Sequence, residues 1–304
     1  MQATECSARN NMKKCLILVN AYIKAETNLN QAVRLKEELE KLGVEVDLKR
    51  NDFFAVYCDN GELKSQIQLY DFCIYLDKDK YIPLMLQRQG LRLFNCYEAL
   101  ENCDDKMITF IALSNANIPM PTTLAGLMCY DKNEPLKVES LSIVEKTLGY
   151  PMVVKESFGS LGKGIYLVKN QEELYALAEK LKCTPHLFQQ FISESCGKDI
   201  RVIVIGGKVV ASMMRCSTTD FRSNVELGGT AQKYEIGEVL KELCERVSKL
   251  LKLDYCGIDV LIGKDGYYIC EVNSNAYFGG IERVTGINVA KAFAEYIYKT
   301  IYKN

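Results

Sequence analysis

The residues of this chain best placed to do chemistry are Asp259, Glu271 and Asn273, within Tyr255–Asn275, YCGIDVLIGKDGYYICEVNSN. Two apolar runs, Gly257–Gly263 and Tyr267–Asn273, flank Lys264-Asp265-Gly266. A three-residue loop ending in glycine predicts a β-hairpin whose last loop residue takes φ > 0. With Gly263 paired to Tyr267, Asp259 stands opposite Glu271, and alternation puts Asn273 on the face of Glu271. Like charges opposed across a ladder repel. A hard cation between them reverses that sign, and Mg²⁺ takes such oxygen ligands. The alternative is a solvated sheet face with two unrelated acids; the apolar residues around them argue against it.

A second constellation is the run 157–164, SFGSLGKG, between the apolar strand Pro151–Glu156 and strand Ile165–Val168. No helix follows it, so it is a hairpin loop and not a P-loop. Its glycines and serines, Ser160, Gly162 and Gly164 among them, supply free backbone N–H groups that could close over phosphates. A merely mobile hairpin tip is the alternative. Lys155, at the end of the preceding strand, favours phosphate, which it would meet as a point charge.

Further along, Leu187–Ile192 (LFQQFI) predicts a strand linking two lobes. Its edge could offer N–H and C=O groups to an adenine ring, or be an ordinary core strand. Asp199, Arg201 and Arg215 lie in or beside two buried strands, Asp199–Ile205 and Lys208–Cys216, that turn about Gly206 and Gly207. Arginines so placed hold a carboxylate or phosphate, or form internal salt bridges. The polar loop Asp220–Gly229 offers Arg222 and Asn224 as ligand candidates.

The elements that must position these residues read as an α/β chain. Strands at Lys14–Asn20, Val44–Arg50, Phe72–Leu76 and Leu91–Asn95 alternate with helices at Asn28–Leu42 and Tyr81–Gln89. That pattern predicts a small parallel sheet covered by helices. Helices follow at Asp104–Asn115, Glu139–Leu148, Gln171–Leu181, Glu235–Lys252 and Asn288–Tyr302, with Asn275–Arg283 a loop. No G-x-G-x-x-G follows the first strand, which disfavours a dinucleotide site and with it a dehydrogenase. The expected division is a disordered tail at 1–12, a parallel α/β domain at 13–102, a central lobe at 103–190 and a C-terminal lobe with the metal site at 191–304.

Composition narrows the function. The net charge of −1 gives no case for nucleic acid or an anionic membrane surface. No apolar run reaches the length of a membrane span, and the polar N-terminus lacks a signal core, so a cytoplasmic protein is expected. The thirteen cysteines form no C-x-x-C pair and sit mostly in apolar runs, which predicts free thiols in a reducing compartment. His186 is the only histidine and precedes an apolar strand, so a structural role is expected and zinc is disfavoured.

Taken together, Lys106, PMVVKES, FGSLGKGI, FQQFI, KDIR, DFRSN, GIDV, ICEVNSN and GIERVTGINVA resemble the ATP-grasp superfamily, and within it the RimK-like amino-acid ligases. The match runs from Lys106 to the C-terminus; the N-terminal part is similar to the family's pre-ATP-grasp domain in pattern only. The resemblance implies an ATP-grasp fold, a pre-ATP-grasp parallel α/β domain followed by two α+β lobes that clamp ATP. It implies that Lys106 and Lys155 hold phosphates, and that the edge formed by Gln189, Gln190, Phe191 and Ile192 meets adenine. Asp199 would bind the ribose, and the loop with Ser160, Gly162 and Gly164 would close on the phosphates. Asp259, Glu271 and Asn273 would hold two Mg²⁺ ions, with Mn²⁺ as a substitute. Arg201, Arg215, Arg222 and Asn224 would serve catalysis at the γ-phosphate and the carboxylate substrate, Arg222 also touching the nucleotide.

The activity implied is amide formation through an acyl phosphate, adding L-glutamate or another amino acid to a carboxylate on a peptide, protein or small molecule. Such chemistry needs positive charge and in-line positioning, not a protein nucleophile. Partners would be the amino acid and its acceptor, with a homo-oligomer open. Gln190 departs from the family where an acid is frequent. The run 274–280, SNAYFGG, replaces the Ser-Pro-Gly of the ribosomal-protein-modifying members and leaves the substrate open. A ligase of a biosynthetic or peptide-maturation route with a different amine is one competitor; a non-catalytic ATP-binding regulator is another, opposed by the intact set of Lys155, Asp259, Glu271 and Asn273.

Overall fold

The computed structural model describes residues 12–23, 26–159, 162–225 and 228–302. The expected disordered tail thus lies, but for Met12, outside the described residues, as does Ser160. The chain opens with β1 (Lys14–Val19), α1 (Glu26–Lys41), β2 (Glu45–Arg50), the hairpin β3 (Val56–Asp59) and β4 (Glu62–Ser65), β5 (Phe72–Leu76), α2 (Tyr81–Arg88) and β6 (Arg92–Phe94). Strands β2-β1-β5-β6 form a parallel sheet in that order. Its strands read as apolar runs because helices cover both faces.

Two short helices follow, α3 (Tyr97–Asp104) and α4 (Lys106–Leu113). The single helix expected over Asp104–Asn115 is broken at Asp105, whose extended backbone lets its carboxylate accept from the N–H groups of Met107 and Ile108. That cap sets Lys106 at the head of α4. The central lobe comprises β7 (Thr123–Ala125), α5 (Val138–Leu148), β8 (Met152–Glu156), β9 (Ile165–Val168), α6 (Gln171–Leu181) and β10 (His186–Gln190). Its antiparallel sheet runs β7-β10-β8-β9 over a core of its own that includes Val154, Leu174 and Phe188.

The last lobe holds β11 (Lys198–Ile205), β12 (Lys208–Cys216), β13 (Thr230–Lys233), α7 (Glu238–Leu250), β14 (Tyr255–Gly263), β15 (Gly266–Asn273), α8 (Gly279–Thr285) and α9 (Val289–Tyr302). Its antiparallel sheet runs β13-β12-β11-β14-β15. Alternation along β11 sends Ile200, Val202 and Val204 into a core with Leu240 and Val247 of α7, and Ile203 and Ile205 into one with Phe293 and Ile297 of α9. Where a loop was expected over Asn275–Arg283, α8 begins at Gly279: Ile281 is fully buried, and that burial holds a short helix the local sequence does not advertise.

The metal-type hairpin differs from expectation in detail. Gly263 pairs with Gly266, leaving a loop of Lys264 and Asp265 rather than three residues. The register then shifts at a bulge between Val260 and Asp259, with Cys270 unpaired, and Asp259 ends opposite Glu271 after all. The bulge also rephases alternation. Ile269 and Val272 face the core, whereas Cys270 and Glu271 both turn to the other side. No helix among the described residues is long and apolar enough to cross a membrane.

Candidate active site

The sheet of the central lobe and that of the last lobe face each other across an open cleft lined from both sides. The floor comes from register. Asp199 lies opposite Arg215 in the β11–β12 ladder and Arg201 opposite Asp259 in the β11–β14 ladder, so all four side chains share one face. Arg215 donates Nε–H to Asp199 Oδ1 at 2.7 Å and also bonds Oδ2. It reaches across β11 to Asp259 Oδ2 at 3.0 Å. Arg201 binds the same carboxylate through Nε and, at 2.8 Å, through Nη2. Gly257 makes room for it: a Cβ there would lie 3.3 Å from Arg201 Cδ and 2.5 Å from Ala276 Cβ.

Burial acts on both acids of this lattice. It pushes the Asp259 carboxyl up, but the guanidiniums of Arg201 and Arg215 more than reverse this and hold it down at about 2. Burial raises Asp199, which Arg215 offsets only in part. The arginines expected to face phosphate are therefore engaged with internal carboxylates in this structure. Arg215 still lines the cleft, while Arg201 lies behind Asp259 and does not.

On the facing sheet, Lys155 is buried on β8 and its Nζ approaches Cys270 Sγ at 3.4 Å. Lys106 sits under the glycine loop. Its backbone N–H donates to Ser157 O at 3.0 Å, its Nζ donates to Gly159 O at 3.1 Å, and Glu271 Oε1 is 3.9 Å from that Nζ. Burial lowers the Lys106 pKa; Glu271 opposes and Lys155 reinforces the shift. Arg222 donates Nη1–H to Gly162 O at 2.7 Å and binds Asp220 through Nε and Nη2 at 2.9 and 2.6 Å. That pair lowers the Asp220 pKa and ties the glycine loop to the opposite lobe.

Of the expected site residues, Lys155, Gly162, Gln189, Gln190, Phe191, Ile192, Asp199, Arg215, Arg222, Asn224, Asp259 and Glu271 line this one cleft. Lys106 instead lines a smaller hollow together with Glu271 and Cys270. Gly164 is at the base of its loop, where its C=O accepts from Glu156 N–H at 2.8 Å. Asn273 pairs with Gly257, beyond the cleft wall. The strand expected over Leu187–Ile192 ends at Gln190, so Phe191 and Ile192 follow it, and the Gln190 N–H is used by Thr122 O at 2.8 Å. His186 lies off the cleft with Nδ1 2.8 Å from Thr184 O, a buried structural residue.

Sequence reasoning missed two contributors to the site, Asp220 and Cys270, and two cations beside it, Lys78 and Lys80. Asp220 is signalled by its spacing two residues before Arg222, whose N–H it accepts at 2.8 Å. Cys270 reaches the cleft only through the bulge, which nothing in the sequence marks. Lys78 and Lys80 follow β5: Lys78 Nζ is 3.8 Å from Asp104, and Lys80 Nζ stands 5.3 Å over the ring of Phe158 in the glycine loop. Cations after a parallel strand's carboxyl end are the available signal.

The oxygen donors are of the type a hard divalent ion takes, while both Asp259 oxygens are held by Arg201 and Arg215 in this structure. Asp259 and Glu271 present carboxylates across one ladder, with Asn273 next along the face. No group of three His, Cys, Asp or Glu side chains gathers among the described residues, so an ion would complete its shell from outside the protein. Mg²⁺ commonly binds through one or two carboxylates plus phosphates and waters.

The backbone superposes on that of the ATP-grasp ligase PsnB, solved with minimal precursor, Mg and ADP, at a TM-score of 0.68 over 94% of this chain and 98% of that one, with 18% identity. The fold is therefore ATP-grasp. Within that fold the sequence is more specific: the RimK-like ATP-grasp domain matches residues 103–297, and the chain belongs to that family. It is 38% identical over 224 residues to human (Homo sapiens) N-acetylaspartylglutamate synthase A, covering 72% of this chain and 56% of that one. It is 33% identical over 216 residues to a probable alpha-L-glutamate ligase of Maridesulfovibrio salexigens, covering 70% and 69%. The chain thus spans little more than half the length of the human synthase.

Proposed function

We propose that this chain catalyses ATP-dependent joining of an amino acid's amine, L-glutamate first among candidates, to a carboxylate, through an acyl phosphate. The observation that carries the reading is the convergence of Lys155, Arg215 and Arg222 with Asp259 and Glu271 in one cleft between two sheets. Such a site offers charge and position, and His186 stands apart from it. Glutamate is supported by the relatives, one named a synthase of N-acetylaspartylglutamate and another a probable alpha-L-glutamate ligase.

The acceptor carboxylate attacks the γ-phosphorus and ADP leaves. The amine then attacks the acyl carbon, the C–O bond to the phosphoryl group breaks, and inorganic phosphate leaves with the electron pair and takes the proton that the amine gives up. Lys106 and Lys155 neutralise phosphate oxygens, and the Arg215–Asp199 pair keeps a guanidinium oriented as charge moves toward the bridging oxygen. The loop around Gly162 and Gly164 excludes water from the acyl phosphate. Mg²⁺ held by Asp259, Glu271 and Asn273 would neutralise phosphate charge and align its oxygens. Adenine would pack beside Gln189 to Ile192. The acceptor would enter from the side of Lys78, Lys80 and the loop 274–278, below the carboxyl edge of the parallel sheet.

The test is phosphate release from Mg-ATP, each amino acid in turn, and a panel of carboxylates that includes short acidic peptides. Release that requires one amino acid, with a product heavier by that residue less water, supports the reading. Glu271→Ala should lose at least 100-fold in turnover, roughly the cost of removing an electrostatic group, while its melting profile stays. Full activity in that variant removes the metal assignment. Tight ATP binding without release under any pairing, pull-down partners included, assigns the chain to non-catalytic regulation instead.

A further inference from the structure

Of the twelve cysteines in the described residues, five are buried in cores, Cys15, Cys73, Cys103, Cys244 and Cys256, and the other seven are half-exposed or exposed. Two of those seven lie on adjoining segments. Cys129 lies half-exposed in the segment between β7 and α5, and Cys183 lies exposed just after α6. The two segments run side by side: Gly126 N–H donates to His186 O at 2.8 Å and Cys129 N–H to Lys182 O at 2.7 Å. That pairing sets Cys129 beside Cys183, the residue after Lys182, and the Cys129 thiol raises the Cys183 pKa. The Cys129 Sγ also donates to Asp131 O at 3.0 Å. Other cysteine neighbours, Cys15 with Cys73 and Cys244 with Cys256, are buried and shielded from solution reagents.

We propose that Cys129 and Cys183 form a redox-active dithiol that a low-molecular-weight disulfide, oxidised glutathione being the cellular class, converts to an intramolecular disulfide. The exposed Cys183 gives up its proton and attacks one sulfur of the reagent. The reagent's S–S bond breaks, one thiol leaves, and a mixed disulfide stands on Cys183. Cys129 then loses its proton and attacks that protein sulfur, the mixed bond breaks, and a second thiol leaves. Two protein thiols are oxidised by two electrons and one reagent disulfide is reduced to two thiols. The second step is intramolecular between cysteines on hydrogen-bonded neighbouring segments, so it outruns capture by a further reagent molecule. Partial desolvation and the Cys129 thiol raise the Cys183 pKa, while Lys182 lowers it, so the reaction accelerates at alkaline pH.

The bond would tie the segment after β7 to the residues that lead into β10. Those strands pair directly, and Gln189 on β10 donates to Thr123 Oγ1 on β7 at 2.9 Å. Oxidation would thus fasten the sheet behind the cleft, without consuming any residue that lines it.

The native full chain is incubated with oxidised glutathione at mildly alkaline pH, remaining thiols are alkylated, and intact mass and linked peptides are read. Loss of two hydrogens with a Cys129–Cys183 linked peptide is expected. Cys129→Ser should instead keep a glutathione adduct on Cys183. A trivalent phenylarsenical, which bridges paired thiols, should bind the native chain at least tenfold tighter than Cys183→Ser. Glutathione adducts on both cysteines of the native chain with no link, or a link that forms only in urea, overturns the proposal.

Discussion

At Lys106 the protein holds an ammonium where water solvates it poorly, and burial lowers its pKa despite the opposing carboxylate of Glu271. Nucleotide phosphates favour the charged form and would raise that pKa again. Binding should therefore be strongest below the free-state pKa of Lys106 and weaken as alkaline pH rises through it, with proton uptake in that window. Calorimetric titration with ATP analogues in two buffers of different ionisation enthalpy measures the uptake. Lys106→Arg, always charged, should abolish it while binding persists; equal uptake in that variant removes Lys106 as its source. The sequence showed which residue types mattered here but not whom they meet. Arg201 and Arg215 were legible as anion binders, and the competing salt-bridge reading is what the cleft displays. Partner choice depends on which charges share a face, and that is decided by the ladders.

Those ladders turn on single residues. In both hairpins of the last lobe the register shifts by one: Val210 is left unpaired in β12 and Cys270 in β15. Without the first shift Asp199 would face Met214. Asp259 met Glu271 as expected only because a loop one residue shorter than read is offset by a bulge one residue longer. A bulge leaves little compositional mark, since it is stabilised by the twist and packing of the whole sheet. The glycine loop, in contrast, was legible because glycine reports backbone directly. Gly164 takes φ +68°, and a Cβ there would lie 2.9 Å from Glu156 Cδ, on a side chain that accepts from Tyr166 OH. Gly164→Ala should strain the loop by about 1–2 kcal/mol and raise the ATP KM roughly 5- to 30-fold. Gly149→Ala is the control: φ +65° and ψ −172° form a conformation essentially only glycine takes, with nothing within 4 Å of the Cβ, so it should destabilise at least as much and leave the KM unchanged. Equal KM shifts in both variants would show that general softening of the lobe, not the loop, sets the affinity.

Across the described residues the cores are distributed unevenly among the three larger sheets. One cluster joins Ile17 and Phe72 of the parallel sheet, Leu35 of α1, Tyr255 of β14 and Phe293 of α9, so the first and last parts of the chain share one interior. Between α1 and the α8–α9 region, Arg34 bonds Glu282, and Asn288 donates to Glu38 at 3.1 Å. The central lobe has a separate cluster around Leu174. Sequence periodicity found α1 and α9 as amphipathic helices but could not show that they cover each other, because a helical stripe names a buried face and not its partner. The shared interior predicts two unfolding units. Phe293 is nearly fully buried and stacks on Tyr255 at 4.9 Å, so Phe293→Ala should cost about 3–5 kcal/mol. In hydrogen exchange it should expose amides of β1 and β14 together and leave β8 and β10 protected. Leu174→Ala, at about 2–5 kcal/mol, should do the reverse. If Phe293→Ala loosens β8 and β10 as much as β14, the three sheets form one cooperative unit. The cleft would then open only by unfolding, and a nucleotide could not enter by movement of the central lobe against a fixed platform.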